Sequence, residues 1–340
     1  MKIWTLQKKR VGDWMAALRA AGKEVLAPCE ADGLLRFRPI DDPSAIAVRP
    51  GPCPFPFKEW LFPPHQVLFS YQFEGGKVNL REEEVLVNDQ VGLFLRPCDA
   101  AAIKILDTVF LSDPPDGFYQ LRRSHLTIVT LGCRQAVPSC FCPAVGLSPT
   151  SLEGSDLFLW EEDDRFLVYG VSEKGDRLVQ VSPDLFEPGE GPEPDQLPSP
   201  LPFMERKEPL TNVGQKLQGL FESDLWQEVG RTCLGCGICA YLCPTCHCFD
   251  IVDESDAYSG IRCRNWDCCA FPLFTLHASG HNPRPDQPSR YRQRVLHKFA
   301  YFLQTFQQNM CVGCGRCSLF CPVGMDIYQI VLQLTGRCLV

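Results

Sequence analysis

Apolar residues recur along this chain with two different spacings, and the change between them divides the sequence. In the first half they come as short runs. Val91-Gly-Leu-Phe-Leu95 and His125 to Leu131 read as strands buried on both faces. Between them Asp99 is placed to cap a helix whose apolar stripe is Ala102, Ile105, Leu106, Val109 and Phe110. Strand, helix and strand predict a βαβ unit with parallel neighbouring strands. Nearer the start, Asp13 is placed to cap a helix over Trp14 to Ala21 that Gly22 ends. Between Asp156 and Val181, apolar runs alternate with polar turns (Leu157 to Trp160, Arg165 to Tyr169, Arg177 to Val181), which predicts antiparallel strands. Arg49 to Pro64 is proline-rich and predicts ordered irregular backbone.

In the second half the spacing becomes helical. Leu217, Leu220, Phe221, Leu225 and Val229 share one face, and Tyr291, Val295, Phe299, Phe302 and Phe306 share another. Asp326 is placed to cap a last helix through Ile327, Ile330, Val331 and Leu334. Ser182 to Pro209 separates the halves with eight prolines among glycines and acidic residues. The expected organisation is a mixed α/β domain over 1–182, a proline-rich linker over 183–209 and a mainly α-helical domain over 210–340. The second domain is expected to fold by itself.

The chain has 340 residues, 45% of them hydrophobic and 22% charged, which suits a globular protein with room for two cores. A formal net charge of −8 argues against nucleic acid as a partner. There is no apolar run of membrane-spanning length, and the start of the chain does not read as a signal peptide. Twenty cysteines in such a sequence point to metal binding in a reducing, anaerobic cytoplasm rather than to a secreted disulfide scaffold.

The spacing of those cysteines is the most informative chemistry. Cys233-Leu-Gly-Cys236-Gly-Ile-Cys239-Ala-Tyr-Leu-Cys243-Pro244 and Cys311-Val-Gly-Cys314-Gly-Arg-Cys317-Ser-Leu-Phe-Cys321-Pro322 both follow the bacterial ferredoxin pattern for [4Fe-4S] clusters. Three thiolates come from a tight loop that glycines allow to curl, and the fourth serves the other cluster. The expected ligand sets are Cys233, Cys236, Cys239 with Cys321, and Cys311, Cys314, Cys317 with Cys243. Structural zinc is the alternative, but zinc sites space separate CxxC pairs apart.

Cys98 and Cys133 fall at the carboxyl ends of the two buried strands, where open α/β sheets place ligands, and Cys140 and Cys142 follow in one loop. These four either hold a third cluster or are buried free cysteines packed as small hydrophobes. Cys53 reads as a spare thiol. Cys246, Cys248, Cys263, Cys268 and Cys269 lie between the ferredoxin runs. The adjacent pair Cys268–Cys269 is reminiscent of heterodisulfide-reducing modules, but Ala270 stands where those carry glycine. His277 to Pro285 reads as a polar loop that docks a partner or closes on its own hydrogen bonds. Arg284, Arg290, Arg292, Arg294 and Lys298 read as a solvated basic face. No GxGxxG loop is present, so neither flavin nor nicotinamide is expected on this chain by that route.

Several of these segments together carry a resemblance. Cys233 to Asp253, Asn265-Trp266-Asp267 with Cys269, His277 to Pro285, Cys311 to Ile327, and in the first half Arg96-Pro97-Cys98-Asp99 and Gly132-Cys133 with Cys140-Phe-Cys142 resemble one family. It contains the iron–sulfur beta subunit of cytoplasmic [NiFe] sulfhydrogenases and the corresponding iron–sulfur subunit of anaerobic sulfite reductase. The resemblance implies a protein that relays electrons between a flavin subunit using NAD(P)H and a catalytic [NiFe] hydrogenase or sulfite reductase subunit. It also implies a third cluster at Cys98, Cys133, Cys140 and Cys142. Cys268 departs from the family pattern, which has serine there. A disulfide- or sulfur-reducing enzyme using Cys268 and Cys269 is the alternative from a different class.

Overall fold

The computed structural model describes residues 1–198, 208–210 and 212–336. The first half builds an eight-stranded sheet from β1 (Lys2–Gln7), β2 (Glu24–Ala31), β3 (Leu34–Pro39), β6 (Gln90–Leu95), β7 (Leu126–Leu131), β8 (Leu157–Glu161), β9 (Arg165–Gly170) and β10 (Phe186–Pro188). Their order is β10-β1-β9-β8-β7-β6-β2-β3. β2, β6, β7 and β8 are mutually parallel, and antiparallel strands flank them. The parallel strands are mostly apolar and buried because helices cover both faces.

On one face lie α1 (Val11–Ala20) and α4 (Glu173–Gln180), packed through Trp14, Met15, Leu18, Leu178 and Val179. On the other lie α2 (Pro97–Phe110) and α3 (Gly117–Ser124), with Phe57, Leu61 and Phe62 from the proline-rich segment. The expected βαβ unit is therefore present as β6, α2 and β7. A bulge between Leu93 and Leu95, with Phe94 at φ 60°, interrupts the alternation of β6. Phe94 joins Val91 and Leu93 on the α1 face while Leu95 turns to the α2 face, re-aiming the strand end that carries Arg96 and Cys98.

Three local expectations need correction. Arg177 to Val181 is not a strand. It belongs to α4 and the residue after it, because Ser172 caps that helix through Gly175 and Leu178 and Val179 bury together on one helical face. Asp13 sits inside the first turn of α1, paired with Arg10, rather than at its cap. Asp99 likewise sits inside the first turn of α2, whose backbone enters the helix at Pro97.

A second sheet ties distant parts of the chain together. β4 (His65–Glu74) and β5 (Lys77–Glu82) pair with β11 (Phe249–Ser255) and β12 (Ser259–Trp266) in the antiparallel order β11-β12-β4-β5. The second half otherwise contains α5 (Val213–Gly219), α6 (Leu225–Gly230), α7 (Ile238–Tyr241), α8 (Gln287–Leu296), α9 (Phe302–Phe306), α10 (Arg316–Leu319) and α11 (Ile327–Leu334). A π-helical turn at His297–Tyr301 joins α8 to α9. Asp326 caps α11 as expected, accepting from the amides of Tyr328 and Gln329. The stretch read as a linker opens with a 3-10 turn at Pro183–Leu185 followed by β10 on the edge of the large sheet, and its residues 199–207 lie outside the described ones. Among the described residues, no helix is long and apolar enough to cross a membrane.

Candidate metal centres

Each ferredoxin run folds the same way. Gly235 and Gly237 take φ 66° and 77°, and Gly313 and Gly315 take φ 63° and 73°. The second glycine of each pair opens a single helical turn, α7 or α10, and these two turns pack on each other. Left-handed glycines bend the loop around its cysteines, a conformation that side chains resist. At Gly313 and Gly315 space forbids a side chain as well, since a Cβ would run into the backbone of Cys142 and of Ser139. The second run is thus seated directly against the loop of Cys140 and Cys142, with the Phe141 amide donating to the Gly313 carbonyl at 2.7 Å.

The runs exchange cysteines. One cavity is lined by Cys233, Cys236 and Cys239 of the first run together with Cys317 and Cys321 of the second. On the far side, Cys243 of the first run lies within electrostatic reach of Cys311, Cys314 and Cys317. Burial pushes the thiols of Cys311 and Cys317 up to about 12, so without metal they keep their protons, which binding must displace. Cys236 is the exposed member, beside the exposed Leu234.

A second cavity gathers the four cysteines of the first half. Cys98, in the first turn of α2, Cys133, just past β7, and Cys140 and Cys142 line it with Pro52, Gly313 and Cys314. Arg96 fixes its walls by donating to the carbonyls of Arg49 at 2.7 Å, Gly51 at 3.1 Å and Gly132 at 3.2 Å. Burial raises the Cys98 and Cys133 thiols and takes Cys140 up to about 11.

The electrostatics was largely missed by sequence reasoning. Arg290, Arg294 and Lys298 are buried, not solvated, while Arg292 stacks over Phe221 at the surface. Their spacing of four places them on one inward face of α8 and the π-turn, which was the available signal. Lys298 Nζ donates to Cys243 Sγ at 3.2 Å, Arg294 Nη1 to Cys246 Sγ at 3.5 Å, and Gln287 Nε2 to Cys233 Sγ at 3.1 Å. Asp99, read as a cap, instead forms a fully buried ion pair with Arg316 at 2.7 Å, and Arg316 Nε reaches the Cys53 carbonyl. Among the described residues, Arg316 Nη1, Ser139 Oγ and Ser318 Oγ are buried without a hydrogen-bond partner. Orphaned donors, cationic side chains aimed at sulfur and thiol-lined cavities fit an anionic, sulfur-rich group.

Of the remaining thiols, Cys53 is buried and donates to the Leu35 carbonyl at 3.3 Å, and Cys263 is buried within β12. His277 to Pro285 is an exposed loop closed in part by Asn282, which accepts from Thr275 and donates to the Pro272 carbonyl. Among the described residues, no three ligating side chains meet at the spacing of a single metal ion.

Comparison with known proteins agrees with the cysteine pattern. Residues 232–325 match the 4Fe-4S dicluster domain. The chain is 32% identical to the Sulfhydrogenase 2 subunit beta of Pyrococcus furiosus over 345 aligned positions, covering 97% of this chain and 98% of that protein. No solved structure matches it significantly. With that identity running from end to end and the dicluster domain in place, the chain belongs to the sulfhydrogenase beta subunit family.

Proposed function

We propose that this chain is an electron-relay subunit with no substrate chemistry of its own. Cys233, Cys236, Cys239 and Cys321 hold one [4Fe-4S] cluster, and Cys311, Cys314, Cys317 and Cys243 hold a second. Cys98, Cys133, Cys140 and Cys142 hold a third. The observation that carries the reading is the exchange of cysteines between two identically folded runs around a buried, cation-lined interior. Each cluster supplies one-electron exchange. The protein's residues exclude water, donate to the sulfurs and supply buried positive charge, which favours the reduced state. The seating of Gly313 and Cys314 against the first-half cavity makes the three stations contiguous, so no large movement is needed between them.

The name of the relative, a sulfhydrogenase subunit, supports a place in a multi-subunit hydrogenase complex. We assign one flavin subunit that exchanges electrons with NAD(P)H and one catalytic subunit of [NiFe] hydrogenase type. A sulfite reductase partner would use the same relay. In this reading 1–182 forms the mixed α/β body and 210–340 the mainly helical dicluster body, with β4, β5, β11 and β12 clamping the two. That clamp, and the Asp99–Arg316 pair, weigh against independent folding of the second half. The disulfide-reducing alternative gains no support, since Cys268 and Cys269 are buried.

The relay reading is tested on the full chain, purified anaerobically and reduced with dithionite. It should be reoxidised stoichiometrically by a viologen dye, and it should not turn over a disulfide or polysulfide by itself. Catalytic reduction of either substrate by the isolated chain would refute the relay reading.

A further inference from the structure

Four cysteines outside the three assigned sets are gathered at the base of the β11–β12 hairpin. Phe249 pairs with Trp266, and the Asp267 amide donates to the Cys248 carbonyl at 3.0 Å. Those bonds bring Cys248, just before β11, against Cys269, just after β12; Cys268 adjoins Cys269, and Cys246 adjoins Cys248 and also Cys243 of the first run. The Cys269 sulfur is in hydrogen-bond contact with Cys248 and Cys268, and Cys268 Sγ accepts the Ala270 amide at 3.3 Å. Cys246, Cys268 and Cys269 are 6%, 0% and 7% exposed.

The charges around them provide the second observation. Lys58 comes from the proline-rich segment and is 3% exposed. It donates to the carbonyls of Cys246 at 2.9 Å and Ala240 at 3.2 Å, and lies over the Trp266 ring. Arg294 Nη1 donates to Cys246 Sγ. Among the described residues neither cation has a carboxylate partner; Lys58 meets carbonyls and a ring, and Arg294 meets the Cys239 carbonyl and a sulfur. A buried cation without a counter-charge is strongly unfavourable. Arg294 also lines the cavity of the first ferredoxin run, whose cluster offsets part of its charge, but neutral thiols or a disulfide at the four cysteines would leave Lys58 with Cys243 as its one cluster-bound neighbour. A cluster ligated by thiolates is anionic and compensates them.

We propose that Cys246, Cys248, Cys268 and Cys269 hold a fourth iron–sulfur cluster, with Lys58 and Arg294 as its buried counter-charges. The site lies beside Cys243 and Cys239 and so adjoins both ferredoxin runs. The proposal takes the two ferredoxin clusters as given, and the test separates the two claims.

The test compares iron content and reduced-state EPR of the full chain with those of a Cys248→Ala/Cys269→Ala variant, both purified anaerobically. The variant should contain about four fewer iron atoms per chain, with the ferredoxin signals retained. Equal iron in the two proteins, or a Cys248–Cys269 disulfide found by mass spectrometry in the native chain, would overturn the proposal. Where the double variant does not accumulate, Cys98→Ala gives the same decision. Without the first-half cluster, about twelve remaining irons support a fourth site, and about eight rule it out. Absence of ferredoxin signals from the unmodified chain would instead defeat the reading of the two runs.

Discussion

Cys98→Ala and Cys133→Ala should each cost the chain about four iron atoms while the EPR signals of the ferredoxin runs persist. The two thiols follow adjacent parallel strands, one at the start of α2 and one just past β7, and they line one cavity with Cys140 and Cys142. Cys314 lines the same cavity, but in this reading it is taken by the second ferredoxin cluster. Asp99 adjoins Cys98 in sequence, but both its oxygens are bonded to Arg316. Cys53 is turned away toward the Leu35 carbonyl. The variants should fold, because the sheet and its two cores do not depend on either sulfur. Iron content equal to wild type in both would make these four cysteines packing residues and shorten the relay by one station.

The second large effect concerns the join between the halves. Asp99→Ala should destabilise the chain by about 3–5 kcal/mol, the usual loss when one member of a buried ion pair is removed. Arg316 is fully buried, and its remaining partners are the Cys53 carbonyl and the Cys314 side chain, so the abandoned guanidinium has no water to turn to. Replacing both partners with apolar residues, as in Asp99→Leu/Arg316→Met, should recover most of the loss. Anaerobic guanidinium titrations of the three proteins check this. A single variant as stable as wild type would mean that the pair does not hold α2 against the second ferredoxin run.

What the sequence disclosed tracks how local each feature is. The ferredoxin runs are legible because ligand spacing, glycines and proline all lie within a dozen residues, and the βαβ unit because its strands are uninterrupted apolar runs. Cys98, Cys133, Cys140 and Cys142 are legible only as an option, since their meeting depends on which strands become neighbours. The second sheet leaves almost no trace. β5 alternates over Lys77-Val-Asn-Leu-Arg81, yet it is exposed along its whole length and β11 nearly so, and the sheet depends on β4 meeting a β12 that is distant in sequence, which no local pattern reveals. The buried cations were hidden for a different reason. Charge in a sequence reads as surface, and only the anionic interior that the cysteines create makes a place for Arg294, Lys298 and Lys58. Asp99 looks like a helix cap because its partner, Arg316, lies more than two hundred positions away.

The central claim is that the two cysteine runs hold two [4Fe-4S] clusters for electron transfer, and Mössbauer spectroscopy with iron analysis on the anaerobically purified full chain tests it most directly. The account predicts at least about eight iron atoms per chain, all in cubane form, with dithionite adding electrons and producing reduced-cluster EPR signals. Tightly bound zinc with little iron, and no EPR signal on reduction, would contradict it.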